Sequence, residues 1–306
     1  MGARLLLYLP EWELHGFACA LTTTSRFRRD RAQGGIAVLS KHNKVVVVIG
    51  AIALGMFLSF HVGLVRAGQS PVVSRTPLMI FAGAASKPAL EQCARLYQQR
   101  TGQKIEITFA GSGTVLAQIV QEHIGDLYIP GSNDYMDKAV QKGAVIPHSR
   151  KVIAYLVPAI LVAKGNPKNV RGLSDLARPG LRVVIGQKGA VCLGDVAEDI
   201  LKRAGLLEKV RPRIVSYAMT CEDVQNALLM GEADVVIGWD CMARQHPTKI
   251  DLIPIPRNYL ASIYYIPGAV VTWSKNKAAA RSFLEWLTGP SGRWIFKSHG
   301  YTVALK

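Results

Sequence analysis

From residue 78 onward, short apolar runs of strand length alternate with segments whose apolar residues recur every three or four positions. That alternation restricts the chain to α/β architectures, because each crossover helix must cover a largely parallel sheet. Residues 78–84 and 104–110 read as strands, the second alternating Ile105, Ile107 and Phe109. Residues 88–100 read as a helix with Leu90, Ala94 and Tyr97 on one face, and 114–123 as the next helix before a third strand at 126–130. Asn133 is placed as the cap of a helix through Lys142, with Gly143 as its stop. Residues 152–163 form one longer apolar run that ends in the turn Gly165-Asn166-Pro167. The units then restart, with strands at 182–186, 213–217, 234–239, 250–255 and 264–273 and helices at 194–204, 221–230, 277–287 and 291–299.

This order describes two α/β lobes, one inserted into the other. The expected division is 77–154 plus 252–306 for lobe 1 and 155–251 for lobe 2. A ligand would lie between the lobes, at the C-terminal ends of strands.

Two stretches stand out within that frame. Phe81-Ala82-Gly83-Ala84-Ala85-Ser86 and Phe109-Ala110-Gly111-Ser112-Gly113-Thr114 each run an apolar strand into small residues, offer a hydroxyl, and open a helix. Side by side, such corners aim backbone N–H groups, hydroxyls and positive helix ends at one point. Neither contains a metal ligand or a general base. The chemistry suits holding an anion rather than cutting one.

Composition narrows the classes further. Formal net charge is +16, spread thinly along the chain, with no basic cluster interleaved with aromatics in the globular part. A solvated basic surface therefore explains the charge better than nucleic-acid binding. The seven histidines form no zinc spacing, so no free metal cation and no cofactor is expected. Asp126 and Asp240, near strand ends, are expected as caps. No GxxxxGK[ST] motif occurs, so nucleotide hydrolysis falls to another chain. An enzyme built on a cleft thiol would need a base, and no histidine neighbours Cys192 or Cys221 in sequence. The expectation is a binding protein, not an enzyme.

Residues 45–65 are strongly apolar, preceded by Lys41 and Lys44 and followed by Arg66-Ala67-Gly68. That order reads as an export signal over 45–67, with an uncleaved membrane anchor as the alternative at this length. Residues 68–76 then form a linker. Residues 1–44 make an unusual leader, and Val38 is the expected true start. Five cysteines occur, and the wide spacing of Cys93, Cys192, Cys221 and Cys241 matches neither a disulfide scaffold nor a CxxC site.

The corners resemble the periplasmic molybdate-binding proteins of ABC importers, within the type II periplasmic binding protein class. The resemblance runs through Phe81–Ser86, Phe109–Leu116, Gly125–Pro130 with Met136-Asp137-Lys138-Ala139, and Gly289-Pro290 to Gly300-Tyr301-Thr302. It implies a two-lobed fold whose interlobe cleft binds molybdate or tungstate through hydroxyls and N–H groups. Ser86 and Ser112 match the family serines, with helix capping as their other use. Leu193 would supply a backbone N–H from Gln187–Gly194, Val224 a second from Glu222-Asp223-Val224, and Trp239 would replace a tyrosine ligand. Cys192, standing where the family has proline, and Cys221 would sit at neighbouring loop tips, either joined as a disulfide that braces the site or left as two buried free thiols. Only this resemblance implies a bolder role for Asp126 or Asp240, as a ligand to the metal of an expanded oxyanion. Sulfate, thiosulfate or phosphate stay open as ligands, as does a membrane-tethered sensor. The implied partners are a permease with its cytoplasmic ATPase, the implied location the periplasm, and the implied state a monomer.

Overall fold

The computed structural model of the chain describes residue 74 and residues 76–305. The leader, the 45–67 segment and most of the linker lie outside the described residues, as does the Val38 start. Among the described residues no helix is long and apolar enough to cross a membrane.

The elements of the first half are β1 (Leu78–Gly83), α1 (Lys87–Thr101), β2 (Ile105–Ala110), α2 (Ser112–Glu122), β3 (Leu127–Ile129), α3 (Asn133–Gln141) and β4 (Lys151–Leu156). The second half brings β5 (Pro158–Ala163), β6 (Val183–Gly186), α4 (Cys192–Arg203), α5 (Leu207–Val210), β7 (Ile214–Ala218), α6 (Cys221–Leu229), β8 (Val235–Trp239), α7 (Asp240–Gln245) and β9 (Ile250–Pro254). Then β10 (Tyr264–Val270), α8 (Lys277–Thr288) and α9 (Pro290–Ser298) close the chain.

Two five-stranded sheets result, in the orders β2-β1-β3-β10-β4 and β7-β6-β8-β5-β9. In each, one strand runs against the others: β10 is antiparallel to β3 and β4, and β5 to β8 and β9. The remaining pairs, β1 with β2 and β3 and β6 with β7 and β8, are parallel. Central strands are buried on both faces, as parallel sheets under helices require, and β8 reads Val-Val-Ile-Gly-Trp with no exposed residue.

The apolar run at 152–163 is two strands, one in each sheet, broken at Val157. There the chain changes lobe, and Asp240 fixes the crossing. The Val157 N–H donates to Asp240 Oδ1 at 3.0 Å, and the Asp240 N–H donates back to Val157 O at 2.8 Å. The return lies later than the 251/252 boundary read from sequence, because all of β9 pairs with β5. A third tie comes from the C-terminal segment, where the Tyr155 N–H donates to Thr302 O at 2.6 Å. Asp126 works at the opposite end of the first sheet, accepting from the Met79 N–H at 2.9 Å and the Ser274 hydroxyl at 2.6 Å. Neither carboxylate caps a helix; each instead accepts a backbone N–H from a distant part of the chain.

Candidate functional site

The C-terminal ends of β1, β2 and β3 deliver three small-residue corners to the cleft. Ser86 precedes α1 and Ser112 opens α2, yet neither hydroxyl caps its own helix. Ser86 Oγ donates to Gly83 O at 3.0 Å, and Ser112 Oγ accepts the Gly131 N–H at 3.0 Å. Both serines are fully buried. Because Ser112 accepts from the backbone, its own proton remains available for an acceptor in the cleft.

The third corner, Gly131-Ser132 at the start of α3, is where these parts meet. A Cβ on Gly131 would stand 2.8 Å from Cys192 Sγ, 3.1 Å from Ala85 Cβ and 3.6 Å from Ser112 Oγ. Only a residue without a side chain lets the three approach. The sequence reading passed over this corner, although Pro130-Gly131-Ser132 carries the same small-residue signal as the other two. Ser132, not Asn133, is the N-cap of α3.

The second lobe meets the first over the same point. The Gly113 N–H donates to Ala190 O at 2.9 Å across the cleft. A Cβ would lie 2.1 Å from Gly189 O if placed on Gly113, and 2.3 Å from Ala190 O if placed on Gly111. Asp195 reinforces this contact: it accepts from Tyr135 Oη at 2.7 Å and Lys138 Nζ at 3.1 Å in lobe 1, and from the Gly189 N–H at 3.0 Å in its own lobe. On the other flank, Lys87 Nζ reaches Glu222 at 2.8 Å.

Leu193 is the second residue of α4, so its N–H is among the first-turn donors without a helical acceptor. Val224 is placed differently from expectation. Its N–H already donates to Thr220 O at 3.2 Å, inside the helical ladder, while the Asp223 N–H is held by Thr220 Oγ1 at 3.0 Å. The donors left at the start of α6 belong to Cys221 and Glu222. Trp239 ends β8 at the lobe crossover, opposite Pro158, with its ring 5.8 Å from that of Tyr264. Its Nε1 is buried without a hydrogen-bond partner.

The Cys192–Cys221 disulfide is not formed; both are buried free thiols. Cys192 lies between the Cys221 thiol and the Ser112 hydroxyl, and its hydrogen bond with Cys221, together with burial, pushes it well above an ordinary cysteine. Cys192 is thus a neutral thiol against a neutral hydroxyl. Cys93 is core.

The start of α4 lies at Gly131 through Cys192, and α6 packs on the Ala84–Ser86 turn. The starts of α1, α2, α3, α4 and α6 therefore gather around the two serines. Each contributes partial positive charge and unpaired N–H groups, the arrangement that receives an anion. Among the described residues no group of three or more His, Cys, Asp or Glu side chains could hold a metal ion.

Residues 78–302 match the family of bacterial extracellular solute-binding proteins, and the chain belongs to that family. It is 28% identical to the molybdate-binding protein ModA of Mycobacterium tuberculosis, over 78% of this chain and 92% of the relative. Its fold matches the periplasmic molybdate-binding protein of Azotobacter vinelandii with a TM-score of 0.65 and 26% identity, covering 74% of this chain and 100% of that one. A sulfate-binding protein of Synechococcus elongatus is 23% identical over 72% of this chain and 70% of the relative. The fold is that of the type II periplasmic binding proteins, and these relatives are binding proteins rather than enzymes.

Proposed function

We propose that this chain is the extracytoplasmic solute-binding component of an ABC importer and that its cleft holds a tetrahedral oxyanion, molybdate or tungstate first. The reading rests above all on one observation, the gathering of five helix starts around two buried serines whose hydroxyls cap neither adjoining helix. Charge-assisted hydrogen bonds to such donors are short and strong, so several together offset dehydration of a dianion without a formal counter-charge.

In this reading Ser112 donates its free proton, and Ser86 turns from Gly83 O to do the same. The Leu193 N–H, the donors at the start of α6 and Trp239 Nε1 complete the shell from the second lobe, with Val224 lying one turn inside. Closure joins donors of both lobes on one ligand, so the ligand stabilises the closed form by its differential affinity. Delivery then requires a permease and a cytoplasmic ATPase. Export through residues 45–67 places the protein outside the cytoplasm, working as a monomer. The sulfate-binding relative makes sulfate the second candidate.

Thermal unfolding against molybdate, tungstate, sulfate, thiosulfate, phosphate and chloride tests the reading. A ligand at a hundred times its dissociation constant adds about 2.7 kcal/mol of stability. A shift with one oxyanion and none with chloride is expected, and a uniform absence of shifts overturns it.

A further inference from the structure

The two flanks of the cleft are built differently. On one, Gly111 and Gly113 sit so close to the Gly189-Ala190 carbonyls that no Cβ fits, and Asp195 ties the lobes together. On the other, a chamber of about 500 Å³ remains between the lobes. Its lobe 1 wall comes from Ala84 and Ala85 and the ends of α1 and α9, its lobe 2 wall from α6 and α7. The chamber is lined by Ala85 and Lys87, the chain neighbours of Ser86, and by Cys221, which opens α6, so it ends one residue from the anion corner although the buried serines do not line it. A bare tetrahedral ion has five heavy atoms and does not need this space, which lies within the roughly 300–1,000 Å³ of small-molecule sites.

The chamber wall is polar and its charges offset one another. Lys87 and Arg244 are balanced by Glu91 and Glu222. His246 and His299 are both shifted down, chiefly by burial and secondarily by Lys249 and Arg95, so they face the space as neutral rings. Each ring already has an amide neighbour: Gln225 lies 2.6 Å from His246 Nε2, and Gln92 2.6 Å from His299 Nε2. Such a wall offers hydrogen bonds in both directions without net charge. It fits a neutral, hydroxylated body better than a second anionic group or an apolar one.

We infer that the site also takes monoesters of tetrahedral oxyanions, with the oxyanion head at Ser86 and Ser112 and a small polyol or sugar body in the chamber beyond Ala85 and Cys221. The inference rests on the oxyanion reading above for its head group and adds the substituent. The same head could be a phosphate or a sulfate ester, and the wall does not favour either.

Calorimetric titration of the full chain decides it, with inorganic phosphate, sulfate and molybdate beside glycerol 3-phosphate, glucose 6-phosphate and glucose 6-sulfate. At least one ester is expected to bind tenfold or more tightly than its own inorganic ion, and the phosphate and sulfate arms identify the head. Gln225→Trp, which fills the chamber from α6, is expected to bring that ester to within a few-fold of the inorganic ion. Binding of bare ions with no ester bound overturns the inference and leaves the oxyanion reading standing. Binding of neither class overturns both. Should the tryptophan variant not fold, the comparison of ester with inorganic ion on the unaltered chain is sufficient.

Discussion

Gly113 donates its N–H to Ala190 O at 2.9 Å from one lobe to the other, and a Cβ on Gly113 would stand 2.1 Å from Gly189 O. The backbone at 113 is ordinary, and within lobe 1 a Cβ would meet only Tyr135 Cε1 at 3.0 Å, which a small shift of that ring relieves. The larger obstruction is to the approach of the lobes, where the contact is with backbone. Gly113→Ala is therefore expected to leave both lobes folded, lower oxyanion affinity by a hundredfold or more, and enlarge the radius of gyration in small-angle scattering with ligand present. An unchanged dissociation constant would show that the lobes close without this contact.

Ser112→Ala acts at the ligand and at the fold together. It removes one donor from the proposed shell and leaves the buried Gly131 N–H without its acceptor. An unsatisfied buried donor costs about 1–3 kcal/mol. A hydrogen bond to a charged group contributes about 1.5–3 kcal/mol, so affinity is expected to fall roughly ten- to a hundredfold. Calorimetry and denaturant unfolding read the two effects separately, and intact affinity would remove Ser112 from the shell.

Two interlobe ion pairs look alike on paper and differ in setting. Lys87–Glu222 is substantially exposed on both sides, whereas the Asp195 side chain is only 20% exposed and also binds Tyr135. Exposed pairs contribute about 0–1 kcal/mol. Glu222→Gln is expected to change ligand affinity less than threefold, with that change vanishing at high salt. Asp195→Ala breaks three contacts, two of them between lobes, and is expected to speed ligand release at least tenfold in stopped-flow displacement. Equal effects from both would contradict the asymmetry.

The fold was legible from residue 78 onward because periodicity is local: strands ending in Gly and Ser before helix starts declare βα units without tertiary knowledge. The two serine corners were legible for the same reason. What escaped the sequence depends on pairing over distance. The 152–163 run is apolar throughout, so nothing local marks Val157 as a lobe crossing; Asp240 marks it from 83 residues away. Val224 was chosen by position in a motif, which does not reveal that its N–H lies inside the helical ladder. Cys192 and Cys221 were brought together correctly, but sequence did not separate a bond from neighbouring thiols. The Tyr135–Asp195 clamp spans 60 residues and leaves no local trace.

Thiol burial gives the chain an alkaline limit. Burial pushes Cys93 from 9.0 up to about 12. The folded state therefore keeps a proton that the unfolded chain loses above pH 9. Its contribution is complete below pH 9 and declines from there to about pH 12, by up to about 1.4 kcal/mol per pH unit. Urea unfolding at pH 8, 9.5 and 10.5 is expected to show falling stability, with the fall reduced in Cys93→Ala relative to that variant's own value at pH 8. In the native chain the described cysteines are expected to resist a thiol reagent at pH 8 and to react only on unfolding. Identical pH slopes for variant and parent would assign the limit elsewhere.

Trp239 offers the sharpest test of the second-lobe shell. Its Nε1 is a buried donor with no partner, and leaving such a group unpaired costs about 1–3 kcal/mol unless a ligand or water meets it. Trp239→Phe removes that donor while keeping an aromatic face toward Tyr264, at the expense of some packing volume. The ligand-free protein is expected to lose less than about 2 kcal/mol, because the small cavity formed is offset by removal of the orphaned donor. Oxyanion affinity, by contrast, is expected to fall about tenfold or more if the indole donates to the ligand. Loss of affinity without comparable loss of stability assigns Trp239 to the shell. Loss of stability at constant affinity makes it a hinge aromatic that holds β8 against the crossover.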